Sequence, residues 1–527
     1  MKPIAIDTHD FTSLRRDGCI YVDKTMFMHR LVTTVGSKLF FVSRPRRFGK
    51  SLTVSALKAL FSGRRELFKG LEIDKTDWKW EKYPIIHFEF NDLDTVSMDT
   101  FEKSLAWHLE RKLSEAGYSY NKSISPADNF GMAIDSLAEQ KDENGNIVRR
   151  GVVILIDEYD APVGHCLDDL AKAEAVRARL FAVYSQMKNR TGDIRFLFMT
   201  GVSKFMKLSV FSALNNIVDI SQKDDFSTMF GYTEEELSAN FDEHLREHAA
   251  KMGKSYEDYR AEMKRWYNGF RFSPDDETTV YNPISVAYTL YGKEKSFRAT
   301  WATTGRPSML MNYLKREDML RIDPEATQNV TANVFDVAEL RNLKPIPMLF
   351  QSGYLTIRNY NAGLYVLGVP DEEVRQDLCL LMSGVAADKD TYWASEMAGW
   401  LLGGQWDDFF DGLQSLYAAM AYGPTERRVH ENSYGRCLSF LLASCGFDFT
   451  MENVQSNGRA DVVAKHPVEV CIFELKVDEP VDKAFAQIRE KGYAEPFRAD
   501  SRPVWLIGLS FDSKTRHLVD CAAERAF

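Results

Sequence analysis

Apolar residues gather in short unbroken runs through the first two hundred positions. LFFVS (39–43), PIIHFEF (84–90), GVVILID (151–157) and RFLFMTG (195–201) show almost no polar alternation. A strand that is apolar at successive positions is buried on both faces, whereas a half-exposed strand alternates. The intervening stretches have helical spacing. SLTVSALKALFSG follows the first run and stops at Gly63, a helix is expected from about 99 to 116, and AKAEAVRARLFAVYSQMKNR (171–190) is amphipathic. Buried strands joined by helices predict an α/β domain: a parallel sheet with helices on both faces.

After about residue 225 the pattern changes. Residues 233–267 carry helical charge spacing, and short motifs rich in Gly and Asn follow: RWYNGFRF (265–272), VYNPISV (280–286), ATTGRPS (302–308) and FQSGYLTI (350–357). Short strands are expected at 364–369, so this region reads as helices with a small sheet. Helices are expected over 371–421, and AYGPTERR (421–428) reads as a boundary. The last hundred residues read as helix, strand, strand, helix, strand, with no repeat and no low-complexity segment.

A chain of 527 residues exceeds one ordinary core and implies two to four domains. Its net charge of -10 excludes a basic nucleic-acid coat but leaves room for a local cationic cleft. The seven cysteines, at 19, 166, 379, 437, 445, 471 and 521, form no C-x-x-C pair, so neither a zinc cage nor a disulfide framework is expected. The N-terminus lacks the apolar core of a secretory signal, and no run approaches a bilayer span. A cytoplasmic protein with no membrane partner is the expectation.

The clearest chemistry begins at SRPRRFGKSLT (43–53). A phosphate-binding loop aims backbone N–H groups and a helix N-terminus at phosphate, its lysine reaches the outer phosphates, and the next hydroxyl ligates magnesium. Gly49, Lys50 and Ser51 sit at the strand-to-helix junction where this chemistry needs them. Arg44 stands where the usual pattern has its first glycine, and Pro45 removes one N–H donor. Arg44, Arg46 and Arg47 can offset that loss with guanidinium charge. The bland alternative is a solvated basic turn at a helix start. ILIDEYD (154–160) argues against it: Asp157 ends an apolar strand where a magnesium carboxylate belongs, and Glu158 is placed to activate water. An exposed acidic strand end is the alternative for DEYD. Thr200, at the end of the next strand, is the candidate for sensing the γ-phosphate, though such a strand also runs into polar turns for no reason of chemistry.

YVDKT (21–25), RPRRFGKSL (44–52), VILIDEYD (153–160), TGVSKF (200–205), YNGF (267–270) and YNP (281–283) together resemble the AAA-ATPase-like family of bacterial proteins, which carry a C-terminal domain of the PD-(D/E)XK nuclease superfamily. The resemblance runs from about residue 8 to about 510, and arginine in the first loop position is that family's own variant. It implies ATP binding by Arg44, Arg46, Arg47, Phe48, Gly49, Lys50, Ser51, Leu52, Asp157 and Thr200, with Mg2+ held by Ser51 and Asp157. Arginines that reach a neighbouring copy's γ-phosphate are common in such ATPases. Arg265, Arg271 and Arg306 are available, and nothing in the sequence selects among them.

GRADVVAKHPVEVCIFELKVD (458–478) holds a second constellation. Glu474 and Lys476 lie two apart on an expected strand and share a face, and Asp461 meets them from the neighbouring hairpin strand. Two carboxylates bind a hard cation that activates water, and the lysine positions that water or stabilises the transition state. Alternating charges on an exposed strand are the competing account. The pattern resembles the D…E-x-K core of the PD-(D/E)XK nucleases, and that likeness adds Glu431 on the preceding helix as a further acidic ligand, with Gln487 and Tyr493 on the helix that follows. It implies Mg2+, or Mn2+, at Glu431, Asp461 and Glu474.

Four regions are expected: an AAA-ATPase-like P-loop domain (1–225), a lid or winged-helix-like middle region (226–370), a helical linker (371–425) and a nuclease-like α/β domain of restriction-endonuclease type (426–527). The functional expectation is an ATPase coupled to a metal-dependent nuclease acting on nucleic acid, DNA first, in defence or repair; a homo-oligomer is one state open to it, and the sequence does not select the oligomeric state. ATP binding would reposition the middle region and license the C-terminal site. The alternative is a nucleotide-dependent switch whose C-terminal domain recognises nucleic acid or protein without cutting. A scaffold with two degenerate sites is opposed by the retention of Lys50, Asp157, Asp461, Glu474 and Lys476.

Overall fold

Two short helices, α1 (Phe11–Arg16) and α2 (Thr25–Thr33), precede the first buried strand, β1 (Leu39–Ser43). The structure is a computed structural model describing all residues except 7–8, 142–143, 205–213, 215, 293–295, 302–327, 336–339, 341–343, 388–390, 422–430, 456–457 and 516. Of the residues singled out in the sequence, Arg306 lies outside the described set. The described chain divides into two compact units, one ending at Glu373 and the other running from Val374 to Phe527.

In the first unit β1 leads into α3 (Lys50–Phe61), followed by β2 (Ile85–Glu89), α4 (Met98–Glu115) and α5 (Pro126–Leu137). A hairpin of β3 (Glu139–Lys141) and β4 (Ile147–Arg150) then leads to β5 (Val152–Asp157), the short α6 (Ala161–Gly164), α7 (Leu170–Ser185), β6 (Ile194–Gly201) and β7 (Val218–Asp219). Local chemistry sets the helix starts. At α4, Ser97 Oγ accepts from the Thr100 N–H and Thr100 Oγ1 accepts from the Ser97 N–H, a reciprocal cap, while Asp169 caps α7. The five strands pair in the order β2-β5-β6-β1-β7, all parallel. β1 and β5 are buried at every position, as their unbroken apolar runs require. This is the α/β class read from the pattern.

Parallel pairing has a functional consequence: it brings the carboxyl ends of the strands to one edge. The register sets Glu89 beside Asp157 and Ser43 beside Gly201. Everything that follows β1, β2, β5 and β6 therefore emerges on the same side of the sheet.

The rest of this unit contains α8 (Glu234–Lys251), α9 (Tyr256–Tyr267), a two-stranded pair β8 (Asn268–Phe270) and β9 (Val280–Tyr281), and α10 (Pro283–Tyr291). β10 (Gln328–Thr331), α11 (Pro345–Ser352), β11 (Thr356–Asn361) and β12 (Leu364–Gly368) complete it, with three strands in the order β10-β12-β11. Phe48 of the loop after β1 packs its ring 4.7 Å from Phe270 and 5.3 Å from Phe272, tying that loop to this part of the unit.

The chain passes through α12 (Glu372–Ala387) into the second unit, which holds α13 (Thr391–Leu402), α14 (Trp406–Ala421), α15 (Glu431–Ser444), β13 (Asp448–Gln455), β14 (Gly458–Lys465), β15 (Val470–Val477), α16 (Val481–Lys491), β16 (Val504–Phe511) and β17 (Leu518–Arg525). The mixed sheet runs β13-β14-β15-β16-β17, with only β15 and β16 parallel. Tyr434 stacks on Phe511 with Tyr417 edge-on to both on one face, and α16 covers the other with Val481, Phe485 and Ile488. Gly508 permits that close approach, since a Cβ there would lie 2.6 Å from Val481 Cγ2. Two strands, β13 and β17, exceed the expected helix, strand, strand, helix, strand; both are sheet edges with polar residues interleaved. Among the described residues no helix is long and apolar enough to cross a membrane.

Candidate functional site

Each unit holds one constellation. In the first, the loop of residues 44–49 turns from β1 into α3. Its left-handed residues are Arg47, φ 69°, and Gly49, φ 87°. Arg46, Arg47, Phe48, Gly49, Lys50, Ser51 and Leu52 all line a cavity of about 580 Å3 at the carboxyl edge of the sheet. The α3 N-terminus therefore opens into the cavity, where its dipole and unpaired N–H groups favour an anion. Lys50 is buried, and its Nζ donates to the carbonyls of Arg44 and Pro45, each at 3.0 Å.

Asp157 and Glu158 line the same cavity from the end of β5. Burial, then the charge of Glu158, pushes the Asp157 carboxyl up to about 6; a hydrogen bond from the Ser51 hydroxyl and the charge of Lys50 pull it back. Two oxygen donors side by side at an anionic centre suit a hard divalent cation, so Ser51 and Asp157 fit magnesium. Glu158 has φ 52°, a left-handed conformation that costs a non-glycine residue about 1–3 kcal/mol. That turn presents its carboxylate to the cavity directly after Asp157.

Two expectations change. Arg44, placed among the phosphate-facing arginines, is absent from the cavity wall. Its side chain is only 2% exposed and its guanidinium bonds carbonyl oxygens inside the unit. Thr200 is also fully buried and off the wall, and its Oγ1 has no partner among the described residues. It sits at the strand end that Tyr159 N ties down, donating to the Thr200 carbonyl at 3.0 Å, while Asp160 accepts from the N–H groups of Val202 and Ser203.

The sequence reading missed two sets of cavity residues. Glu89, Asn91 and Asp92 enter from the end of β2, and the register that pairs Glu89 with Asp157 is the signal that a strand-by-strand reading lacked. The wall also has apolar residues that the reading did not name, Ile4, Ile6, Tyr232, Phe241, Ile284 and Ala287. Of the arginines offered to a neighbouring copy, Arg265 is exposed on α9, while Arg271 is buried and donates to the carbonyls of Ser273 and Asp276.

In the second unit, Val462 pairs with Phe473, and one step along the antiparallel ladder sets Asp461 opposite Glu474. Asp461 Oδ2 accepts from the Leu475 N–H at 2.8 Å. Lys476 Nζ donates to Glu474 Oε1 at 2.8 Å and to Gln487 Oε1 at 3.0 Å, and Gln487 Nε2 donates to the Tyr493 hydroxyl at 3.4 Å. The expected face is thus assembled; α16 adds Gln487, while Tyr493, expected on the same helix, follows just past its Gly492 cap. Glu431 opens α15, but its side chain lies outside the described part of the structure. Of the basic residues on β14 and α16, Lys465 and Lys483 are exposed, Arg489 is paired with Glu524, and the Arg459 side chain is not described.

Glu474 is 1% exposed, and its Oε2 has no hydrogen-bond partner among the described residues. Burial, then the nearby charge of Asp461, pushes its carboxyl up to about 7, against the pull of Lys476. An unpartnered buried carboxylate oxygen beside a second carboxylate fits a divalent cation. The sign for stability follows from a folded value above the unfolded one. Stability from this group is full below about pH 4.5 and lost as pH rises through about 7. Without divalent ions, Glu474→Gln, which cannot ionise, is expected to lose less stability than wild type between about pH 5 and about pH 8. Thermal midpoints across that range check it, and parallel curves for the two proteins would refute it.

The family described as "Predicted AAA-ATPase" matches residues 3–211, and the family described as "PD-(D/E)XK nuclease superfamily" matches residues 429–521. A protein of Azotobacter chroococcum mcd 1, described as "Uncharacterized protein in vnfD 5'region", is 32% identical over 551 residues, covering 99% of this chain and 98% of the relative. No solved structure matches the chain significantly.

Proposed function

We propose, for a chain that belongs to the predicted AAA-ATPase family and carries a C-terminal domain of the PD-(D/E)XK nuclease superfamily, that it binds and hydrolyses ATP in its first unit and cleaves DNA in its second. The observation that carries this reading is the single cavity shared by the α3 N-terminus, Lys50, Ser51, Asp157 and Glu158. The triphosphate lies against the helix N-terminus, with Lys50, Arg46 and Arg47 supplying positive charge. The purine takes the apolar part of the wall. Glu158 orients and accepts a proton from the attacking water.

In the second unit, Asp461 and Glu474 hold a cation while Lys476, kept in place by Gln487, faces the reacting phosphodiester. Bound divalent ions supply charge neutralisation at both sites and an acidified water at the second. Lys476 stabilises charge that develops on the phosphate oxygens. ATP binding licenses cleavage, and defence against foreign DNA or repair is the setting that such coupling suits.

The test is a paired assay on the full chain: phosphate release from ATP, and digestion of supercoiled plasmid with magnesium or manganese, each with and without ATP. The proposal expects phosphate release and ATP-dependent nicking or linearisation. Phosphate release with no cleavage of plasmid, single-stranded DNA or RNA would instead mark a nucleotide-driven switch with a recognition domain.

A further inference from the structure

The glycine that opens the usual phosphate-binding pattern is needed where the backbone is left-handed. In this loop the left-handed residues are Arg47 and Gly49; residue 44 is not among the positive-φ positions. The backbone therefore makes no demand for glycine at 44, and a long side chain can stand there. It points inward. Arg44 Nη1 donates to the carbonyls of Ser43 at 3.0 Å and Ser221 at 2.6 Å, and Nη2 donates to the carbonyl of Phe226 at 3.3 Å. The guanidinium lies over the Phe272 ring, 4.1 Å from its centroid.

Burying a cation this deeply is costly, and the residue's nearby carboxylate, Asp219, already holds Lys204 at 2.9 Å. Burial lowers the Arg44 pKa to about 9, which still leaves it charged near neutral pH. What the charge secures is geometric. A rigid planar fork binds three carbonyls at once and stacks on an aromatic face, joining the end of β1 to the segments around 221–226 and 272. The backbone of residues 44 and 45, so held, offers the two carbonyls that receive Lys50 Nζ.

We infer that Arg44 is the positioning residue of the nucleotide loop. It fixes the two carbonyls that set the place of the Lys50 amine, and it acts on nucleotide through Lys50 without touching it. This rests on the reading of the cavity as an ATP site.

A double-mutant cycle on the full-length protein tests it, read as the dissociation constant of a fluorescent ATP analogue with magnesium. Arg44→Gln is expected to weaken binding about tenfold, and in a Lys50→Ala background to cost no more than about twofold further. Arg44→Lys is expected to weaken binding nearly as much as Arg44→Gln, because an ammonium's three donors radiate from one atom and cannot reproduce the two-nitrogen planar fork stacked on Phe272. Thermal unfolding without nucleotide checks that the variants are folded. Should Arg44→Gln fail to fold, the same cycle with Arg44→Lys decides the question. Losses that multiply in the double variant, or wild-type affinity in Arg44→Lys, would overturn the positioning role alone. Wild-type affinity in Lys50→Ala would overturn the ATP reading itself and this inference with it.

Discussion

Lys50→Ala is expected to lower ATP turnover about 100-fold or more and to weaken ATP binding, whereas Glu158→Gln keeps ATP bound and stops its turnover. The two residues share one cavity but act on opposite charges. Lys50 starts α3, where the helix N-terminus favours phosphate, and its amine adds a full charge in a poorly hydrated place. Its effect therefore extends to ground-state binding. Glu158 carries negative charge, so replacing it with an amide removes repulsion toward the triphosphate while removing the acceptor for the water's proton. Its left-handed backbone is as accessible to glutamine as to glutamate, so the turn is retained. Equilibrium titration with an ATP analogue, run beside phosphate release, separates the effects. Turnover within a few-fold of wild type in Glu158→Gln would assign the proton transfer elsewhere, with Glu89 and Asp92 the remaining carboxylates on the wall among the described residues.

The legible parts of this protein are those in which identity and position suffice. LFFVS and GVVILID are buried on both faces, so their composition announces interior parallel strands. DFTMENVQ (448–455) and LVDCAAER (518–525) are sheet edges with polar residues interleaved, and that mixture separates poorly from a loop. Lys50, Ser51 and Asp157 follow from spacing, because a parallel sheet brings the ends of β1 and β5 to one edge whatever the intervening chain does. Arg44 does not, since a sequence states that a cation is present and not which way it turns. Its inward course depends on carbonyls at 221 and 226, more than 170 positions away. Glu89 depends likewise on the register between β2 and β5, which no single strand contains. In the second unit Asp461, Glu474 and Lys476 were readable because alternation on a hairpin is a local rule.

Glu474→Ala is expected to lower DNA cleavage about 1000-fold or more while leaving ATP turnover near wild type, and chelation of divalent ions is expected to do the same to the wild-type protein. The size follows from what the carboxylate touches. Its Oε1 receives Lys476 Nζ, and its Oε2 has no hydrogen-bond partner among the described residues. Alanine therefore removes a cation ligand and one of the acceptors of Lys476 in one step. Lys476→Ala separates these contributions: both carboxylates remain, so cation binding is retained or strengthened, while charge on the phosphodiester loses its protein partner. Asp461→Asn weakens cation binding and lets the Glu474 carboxyl ionise at lower pH, since the charge of Asp461 is one of the causes of its elevation. Manganese at higher concentration should partly restore Asp461→Asn and leave Lys476→Ala unrestored. If Lys476→Ala were restored by manganese and Asp461→Asn were not, the roles given to the amine and the carboxylate would be reversed. Undiminished cleavage in Glu474→Ala would move the nuclease chemistry to another part of the chain.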